Sequence, residues 1–260
     1  MKELFGTALH AAQLAGKYIQ DSLTQLATVD EKGRADLVTN VDKTSENIIM
    51  EQIQEQYPDH SILAEESGES QKDAGTLWVI DPLDGTSNYV HGYPKYAVSI
   101  AVLVDGETQI GIVYDPWGEE LFSAMRGEGA FVNQSPIQVS KTTALDQSLL
   151  ATGLPYEISA RWYRTFDLFK LFYARTHGVR RDGSAALDLC YVAAGRLDGF
   201  WEYDLHPWDV AAGLLIAKEA GGITTDFSDK ASSIYDTEFL ATNGRIHEQM
   251  LEIIDLAGTG

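Results

Sequence analysis

The chain is poor in cysteine, proline and positive charge. A single cysteine, Cys190, among 260 residues excludes an internal disulfide. It lies in an apolar, helix-like stretch and reads as an inert core thiol, with a lone nucleophile as the weaker reading. Lysine and arginine together number 19 against 39 aspartates and glutamates, a formal net charge of −20. Such a surface repels a phosphate backbone and excludes general nucleic-acid binding; a phosphate could be handled only locally, with cations intervening. No apolar run approaches ~18 residues, which excludes a membrane-spanning helix. The opening stretch MKELFGTALHAAQLAGKYI carries Glu3, His10, Gln13 and Lys17 and reads as an amphipathic helix of the mature chain rather than a secretory leader. A cytoplasmic location is the expectation. Also missing are G-x-x-x-x-G-K-[ST], G-x-G-x-x-G and G-x-S-x-G, so nucleotide-loop and serine-hydrolase readings have no support, and the six histidines show no ligand spacing.

What is present is an orderly alternation of elements. Apolar residues at Leu4, Phe5, Ala8, Ala11, Ala12, Ala15, Ile19 and Leu23 predict a helix over 2–27. Residues 29–36 (VDEKGRAD) read as a polar loop, Thr39-Asn40 as the cap of a helix over 41–56, and 61–64 as a short strand followed by a polar loop to 76. The run Leu77-Trp78-Val79-Ile80 is strand-like and is expected to end at Asp81-Pro82, because Pro82 removes a ladder donor. A short helix over 86–91 follows. YAVSIAVLV, QIGIVYDP, ELFSAM and AFVNQSPIQVS then predict an antiparallel meander. Beyond residue 146 strands and helices alternate: strands in SLLATG, VRR, DGFWEY, GITTDF and FLATN, helices over 159–175, 184–195 and 207–219, and a last helix running to about 256. The fold class is therefore α/β. An α+β lobe with an antiparallel sheet (1–145) joins an α/β lobe (146–260), and the absence of any low-complexity linker predicts one compact unit.

The chemistry concentrates in acids. Asp81 and Asp84 flank Pro82-Leu83, then Gly85-Thr86 opens the short helix, whose first N–H groups favour an anion. Glu65 follows another strand, and Asp209 sits in the first turn of the 207–219 helix. Each has an ordinary structural role when taken singly: turn, cap, solvated charge or helix-dipole partner. If Glu65, Asp81, Asp84 and Asp209 converge, like charges at about 4 Å repel by roughly 1–4 kcal/mol per pair, so the group must protonate or bind cations. An all-oxygen ligand set points to Mg²⁺ before Zn²⁺.

Five stretches carry a resemblance over most of the chain: DLVTNVDKTSE (36–46), ILAEES (62–67), WVIDPLDGTSNYVHG (78–92), RRDGSAALDLCYVAAGRLDGFWE (180–202), and HPWDVAAG with EAGG (206–222). The chain resembles the inositol monophosphatase family of magnesium-dependent, lithium-sensitive phosphatases, its bacterial branch most closely. The resemblance implies a layered αβαβα sandwich, hydrolysis of a small-molecule phosphate monoester, and a homodimer. It also implies roles. Glu65, Asp81 and the carbonyl of Leu83 would hold one Mg²⁺; Asp81, Asp84 and Asp209 a second; Glu65 would share a third, weaker ion. Thr86, paired with Asp42, would orient and help deprotonate the attacking water, and the N–H groups of Gly85 and Thr86 would seat the phosphate. Asp84, Gly183, Ser184, Ala185 and Glu202 would approach the polyol. Arg180 and Arg181 read as structural or interface cations. Asn88-Tyr89 departs from the family's usual Asn-Phe, and the loop over 29–36 bears on the third ion and on lithium sensitivity. The leading expectation is a myo-inositol monophosphatase. The rivals are a relative cleaving fructose 1,6-bisphosphate, NADP or 3′-phosphoadenosine 5′-phosphate, and a protein-partner role with incidental phosphatase activity.

Overall fold

The computed structural model describes the chain except residues 24–27, 34–35, 71, 73–74 and 259–260. Among the described residues no helix is long and apolar enough to cross a membrane.

The N-terminal helix α1 (Lys2–Ser22) buries Ala8, Ala11, Ala12, Ala15 and Ile19, a narrow face that lets its backbone lie close to a sheet. It is shorter than the 2–27 expected; residues 24–27 lie outside the described chain. Close approach is enforced at Gly16, where a Cβ would fall 2.4 Å from the ring of Tyr114. The stretch expected as a loop forms a two-stranded ribbon, β1 (Val29–Gly33) and β2 (Asp36–Thr39). Its polar sequence disguises it, because an isolated ribbon has no face that must be apolar. Helix α2 (Asn40–Gln56) starts where Thr39 accepts from the Val41 and Asp42 amides.

The large sheet follows: β3 (Ser61–Ala64), β4 (Gly68–Ser70), β5 (Thr76–Asp84), then, after the short helix α3 (Thr86–Val90), β6 (Ala97–Val104), β7 (Glu107–Asp115), β8 (Glu120–Met125), β9 (Ala130–Val132) and β10 (Ser135–Ile137). The spatial order is β10-β9-β8-β7-β6-β5-β3-β4, antiparallel except for the parallel pair β3–β5. The edge strand β4 was expected as loop; its residues are mostly exposed and so lack the apolar signal. The stretch 130–140 divides into two strands at Asn133-Gln134, both with positive φ (46° and 67°) as a tight hairpin requires.

One expectation is overturned at β5. The strand does not end at Asp81-Pro82. It bulges: Asp81 pairs with Ser99 and Asp84 with Ala97, so three residue steps on β5 match two on β6. Pro82 sits inside the bulge, where its missing N–H costs no ladder bond.

The second sheet comprises β11 (Leu149–Thr152), β12 (Gly178–Arg180), β13 (Gly199–Tyr203), β14 (Ile223–Thr225) and β15 (Glu238–Thr242), in the order β12-β11-β13-β15-β14. Its helices are α4 (Ala160–Tyr173), α5 (Ala185–Ala193), α6 (Pro207–Glu219) and α7 (His247–Gly258). Three apolar clusters define five layers. One joins α1 and α2 to the large sheet, with Trp78, Ile80 and Ile100 at its centre. One joins the two sheets through α5 and α6, from Val113 and Phe122 to Phe200 and Phe239. One joins the second sheet to α4 and α7, around Phe172, Trp201 and Met250. Helix α6 is buried from Val210 through Ala217 because a sheet covers each of its sides. The result is the αβαβα sandwich. Cys190 lies fully buried in the middle layer, and burial pushes its thiol well up, as an inert core residue requires.

Candidate active site

The ends of β3, β5 and β13 meet the starts of α3, α5 and α6 around a cavity of about 270 Å³. Its lining includes Glu65, Asp81, Leu83, Asp84, Gly85, Thr86, Gly183, Ser184, Ala185, Glu202 and Asp209. All the expected site residues therefore border one space except Asp42, which reaches it through Thr86.

The β5 bulge builds the centre. Asp81 is buried and its Oδ1 accepts the Leu83 amide at 3.0 Å. The carbonyl of Pro82 accepts the Ser45 hydroxyl at 2.7 Å, which ties the bulge to α2. The parallel pairing of Ala64 with Ile80 carries Glu65 alongside, its amide donating to the Ile80 carbonyl at 3.2 Å. Gly85 then turns the chain with φ of 90°; a Cβ there would stand 2.7 Å from the Lys95 carbonyl. The Thr86 hydroxyl lies 2.7 Å from Asp42 Oδ1 and 3.0 Å from the Leu83 carbonyl, and its one proton serves one of them at a time. Asp42 is fully buried, and its Oδ2 accepts the Thr39 amide at 2.8 Å and hydroxyl at 2.5 Å.

The second sheet supplies the opposite wall. Ser184 caps α5, and its hydroxyl donates to Asp84 Oδ2 at 2.6 Å, beside the Ala186 amide at 2.9 Å. Asn88 Nδ2 donates to the carbonyls of Lys95 at 2.6 Å and Asp182 at 2.8 Å, pinning α3 to the turn before α5. Asp209 Oδ2 accepts the His206 amide at 2.6 Å, so its helix-capping role and its place in the cavity coexist. Glu202 is buried, 9% exposed. It packs over Gly153, where a Cβ would fall 1.7 Å from its Oε1.

The electrostatics follow from this crowding. Burial, then the charges of Glu65, Asp84 and Asp209, push Asp81 well above the usual carboxylate range. Burial and Asp84 do the same to Asp209. Asp84 is raised to about 6 by burial, opposed by Ser184, the Ala186 and Ala185 amides and Arg181. Burial raises Glu202 to about 8 against the pull of Arg181. Among the described residues no three acids, imidazoles or thiols are drawn into a closed ligand group. The donor set still suits a hard cation. Asp81 and Asp209 each accept a single backbone hydrogen bond, and their raised affinity for protons is an affinity for positive charge.

Three cavity residues escaped the sequence reading. Arg181 was expected to be structural, yet it is the cation among the described lining residues that opposes the raised carboxyls of Asp84 and Glu202. Asp188 lies one turn into α5 from Ser184 with its Oδ1 buried and without a hydrogen-bond partner. Gly153 carries no side chain to read. The i, i+4 spacing of Ser184 and Asp188 was the available signal for the second of these.

Comparison with known proteins agrees with this geometry. The sequence pattern of the inositol monophosphatase family matches residues 1–258. The inositol-1-monophosphatase of Synechocystis sp. is 45% identical over 249 residues, covering 95% of this chain and 87% of that protein. Nus factor SuhB of Escherichia coli is 44% identical over 256 residues, covering 96% and 95%. Among solved structures, the inositol monophosphatase of Anabaena (Nostoc) superposes with a TM-score of 0.87 at 41% identity, covering 98% and 96%.

Proposed function

The chain belongs to the inositol monophosphatase family, and from that premise we propose that it is a Mg²⁺-dependent phosphomonoesterase acting on myo-inositol monophosphate and on related polyol or sugar phosphates. The observation that carries the reading is the single cavity bordered by Glu65, Asp81, Asp84, Thr86 and Asp209, with Asp42 bonded to Thr86 behind it.

Glu65, Asp81, the Leu83 carbonyl, Asp84 and Asp209 would hold two Mg²⁺, with a third sharing Glu65. Bound there, the ions would lower the pKa of a coordinated water and neutralise charge at the phosphate and the leaving oxygen. The chain's own groups do the positioning. Thr86 orients the attacking water, and Asp42, anchored by Thr39, takes the hydroxyl proton of Thr86 into a fixed direction. The Gly85 and Thr86 amides seat the phosphate where no side chain intrudes. Glu202, Ser184, Ala185, Gly183 and Asp84 face the alcohol half, and Arg181 keeps that acidic wall from repelling an anionic substrate. An Asp81 phosphoenzyme is disfavoured, because a carboxylate engaged by two cations is a poor nucleophile. A homodimer in the cytoplasm completes the proposal.

A phosphate-release screen tests it, using inositol 1-phosphate, fructose 1,6-bisphosphate, NADP and 3′-phosphoadenosine 5′-phosphate with and without Mg²⁺. Inositol 1-phosphate should be turned over with the highest kcat/KM, and chelation or Asp84→Asn should abolish release. Faster turnover of a nucleotide moves the substrate to the rival class, and release that survives chelation ends the metal mechanism.

A further inference from the structure

Helix α2 buries Asp42, Ser45, Glu46, Ile49 and Ile53, the i, i+3, i+4, i+7 and i+11 positions of one face. The far end of this stripe is apolar and packs into the cluster that joins α1 and α2 to the large sheet. The near end is polar, yet Asp42 and Ser45 are 0% exposed and Glu46 is 3% exposed. Polar groups are kept in such positions where partners replace the lost water. Each of these three finds its partner in a different segment of the site. Asp42 accepts the Thr86 hydroxyl at the start of α3, and the Ser45 hydroxyl donates to the Pro82 carbonyl in the β5 bulge at 2.7 Å. Glu46 Oε2 accepts the Glu66 amide, just past the end of β3, at 2.9 Å.

The last two contacts fall on peptide groups beside the cavity's acids. The Glu65 amide donates to the Ile80 carbonyl, and the next amide, that of Glu66, donates to Glu46. Both N–H groups that flank the Glu65 Cα are therefore fixed. The Pro82–Leu83 peptide is likewise held at both ends, its carbonyl by Ser45 and its amide by Asp81 Oδ1. The sheet supplies neither the Ser45 nor the Glu46 hold. Pro82 and Leu83 have no register partner on β6, and Glu66 lies beyond the last β3–β5 pair, Ala64 with Ile80. A role in helix packing alone would be met by an apolar residue, as at Ile49 and Ile53 on the same stripe.

We infer that Ser45 and Glu46 are positioning residues for the cation ligands. Glu46 acts on Glu65 through the Glu66 amide, and Ser45 acts on Asp81 and the Leu83 carbonyl through the Pro82 carbonyl. With Asp42 they make one stretch of α2 a template that sets three segments against one another where strand pairing has ended. Neither side chain lines the cavity, so neither touches substrate. The inference rests on the cavity being the cation site proposed above.

The experiment is a Mn²⁺ titration of the full chain, read from the EPR signal of the free ion, with urea unfolding of the metal-free protein in parallel. It compares the wild type with Glu46→Ala, Glu46→Gln, Ser45→Ala and Ile49→Val. Glu46→Ala and Ser45→Ala should each weaken Mn²⁺ binding by roughly tenfold or more, the usual loss when a group that orients a metal ligand is removed. Glu46→Gln keeps an oxygen acceptor for the Glu66 amide and should recover most of the affinity. Ile49→Val should lower the unfolding midpoint, as a core truncation does, and leave the affinity at the wild-type value. Unchanged affinity in either alanine variant removes that residue from the role. Equal losses in Glu46→Gln and Glu46→Ala overturn the inference for Glu46, because the effect then belongs to its charge. A loss in Ile49→Val that matches the alanine variants overturns it for both residues, because general loosening is then sufficient. Absence of saturable Mn²⁺ binding by the wild type overturns the cation-site reading itself, and the inference with it.

Discussion

The Thr86 hydroxyl and Asp42 Oδ1 are 2.7 Å apart across 44 residues of sequence. Asp42 therefore serves two masters. One oxygen holds the Thr39 amide and hydroxyl at the start of α2, and the other holds the residue proposed to orient the water.

This shared carboxylate separates two variants. Thr86→Ala should lower kcat by roughly 10²-fold or more, in the range of a lost proton-transfer partner, and barely move the unfolding midpoint. Asp42→Ala should lower kcat comparably and also cost about 1 kcal/mol of stability through the lost cap. The double variant should be little slower than either single one, because both break one unit. Steady-state kinetics with urea unfolding checks this; wild-type kcat in Thr86→Ala would remove the hydroxyl from the chemistry.

Gly85 should not accept a side chain. At φ of 90°, with a Cβ held 2.7 Å from the backbone carbonyl of Lys95, alanine has no flexible neighbour to displace. Gly85→Ala is expected to destabilise by about 2 kcal/mol or more. Gly68, also at positive φ but with nothing within 4 Å, is the control and should cost less on the same substitution.

Glu202 should set part of the alkaline limit of the metal-free protein. Its folded pKa, raised to about 8, lies above the unfolded value near 4.5. The protonated form is the one the fold favours, so its stabilisation is full below about 4.5 and is lost as the pH rises through about 8. Glu202→Gln cannot ionise and should flatten this part of the stability profile between pH 5 and 9. Parallel profiles for the two proteins would show that Glu202 is not held neutral.

His247 should act at the opposite limit. It is buried, with Nδ1 at 3.0 Å from the Thr242 hydroxyl and Nε2 at 3.3 Å from both Thr225 Oγ1 and Asp229 Oδ1. Burial holds its pKa below 6.5, and the Asp229 contacts only partly offset this. The neutral ring is favoured by the fold, so stability is present above the unfolded value of about 6.5 and is lost as the pH falls below it. Denaturation of His247→Gln at pH 5 and 7.5 should show a smaller acid loss than the wild type; an unchanged acid loss would place the sensitivity elsewhere.

Much of this site is legible in the sequence. Asp81, Asp84, Gly85 and Thr86 stand together in one segment, and their types alone suggested cations and an anion seat. The Ser184 cap and the Pro207 start of α6 were likewise local matters of helix-end chemistry. What misled was also local. Pro82 was read as a strand terminator because a proline lacks a ladder donor, yet the pairing resumes at Asp84 through a bulge. The ribbon β1–β2 and the edge strand β4 stayed hidden because neither must be apolar.

By itself, then, the sequence determined the residue types available for catalysis, the order of helices and strands, and membership of a family with those motifs. Tertiary structure alone decided which of the 39 acids become neighbours and which of them are buried. Parallel pairing of β3 with β5 sets Glu65 beside Asp81. Packing of α5 and α6 between two sheets brings Ser184, Glu202 and Asp209 to the same space. The physical reason is that a carboxylate's affinity for protons and cations depends on desolvation and on the charges around it. Neither property belongs to the residue or to its neighbours along the chain; both arise only when distant segments enclose it.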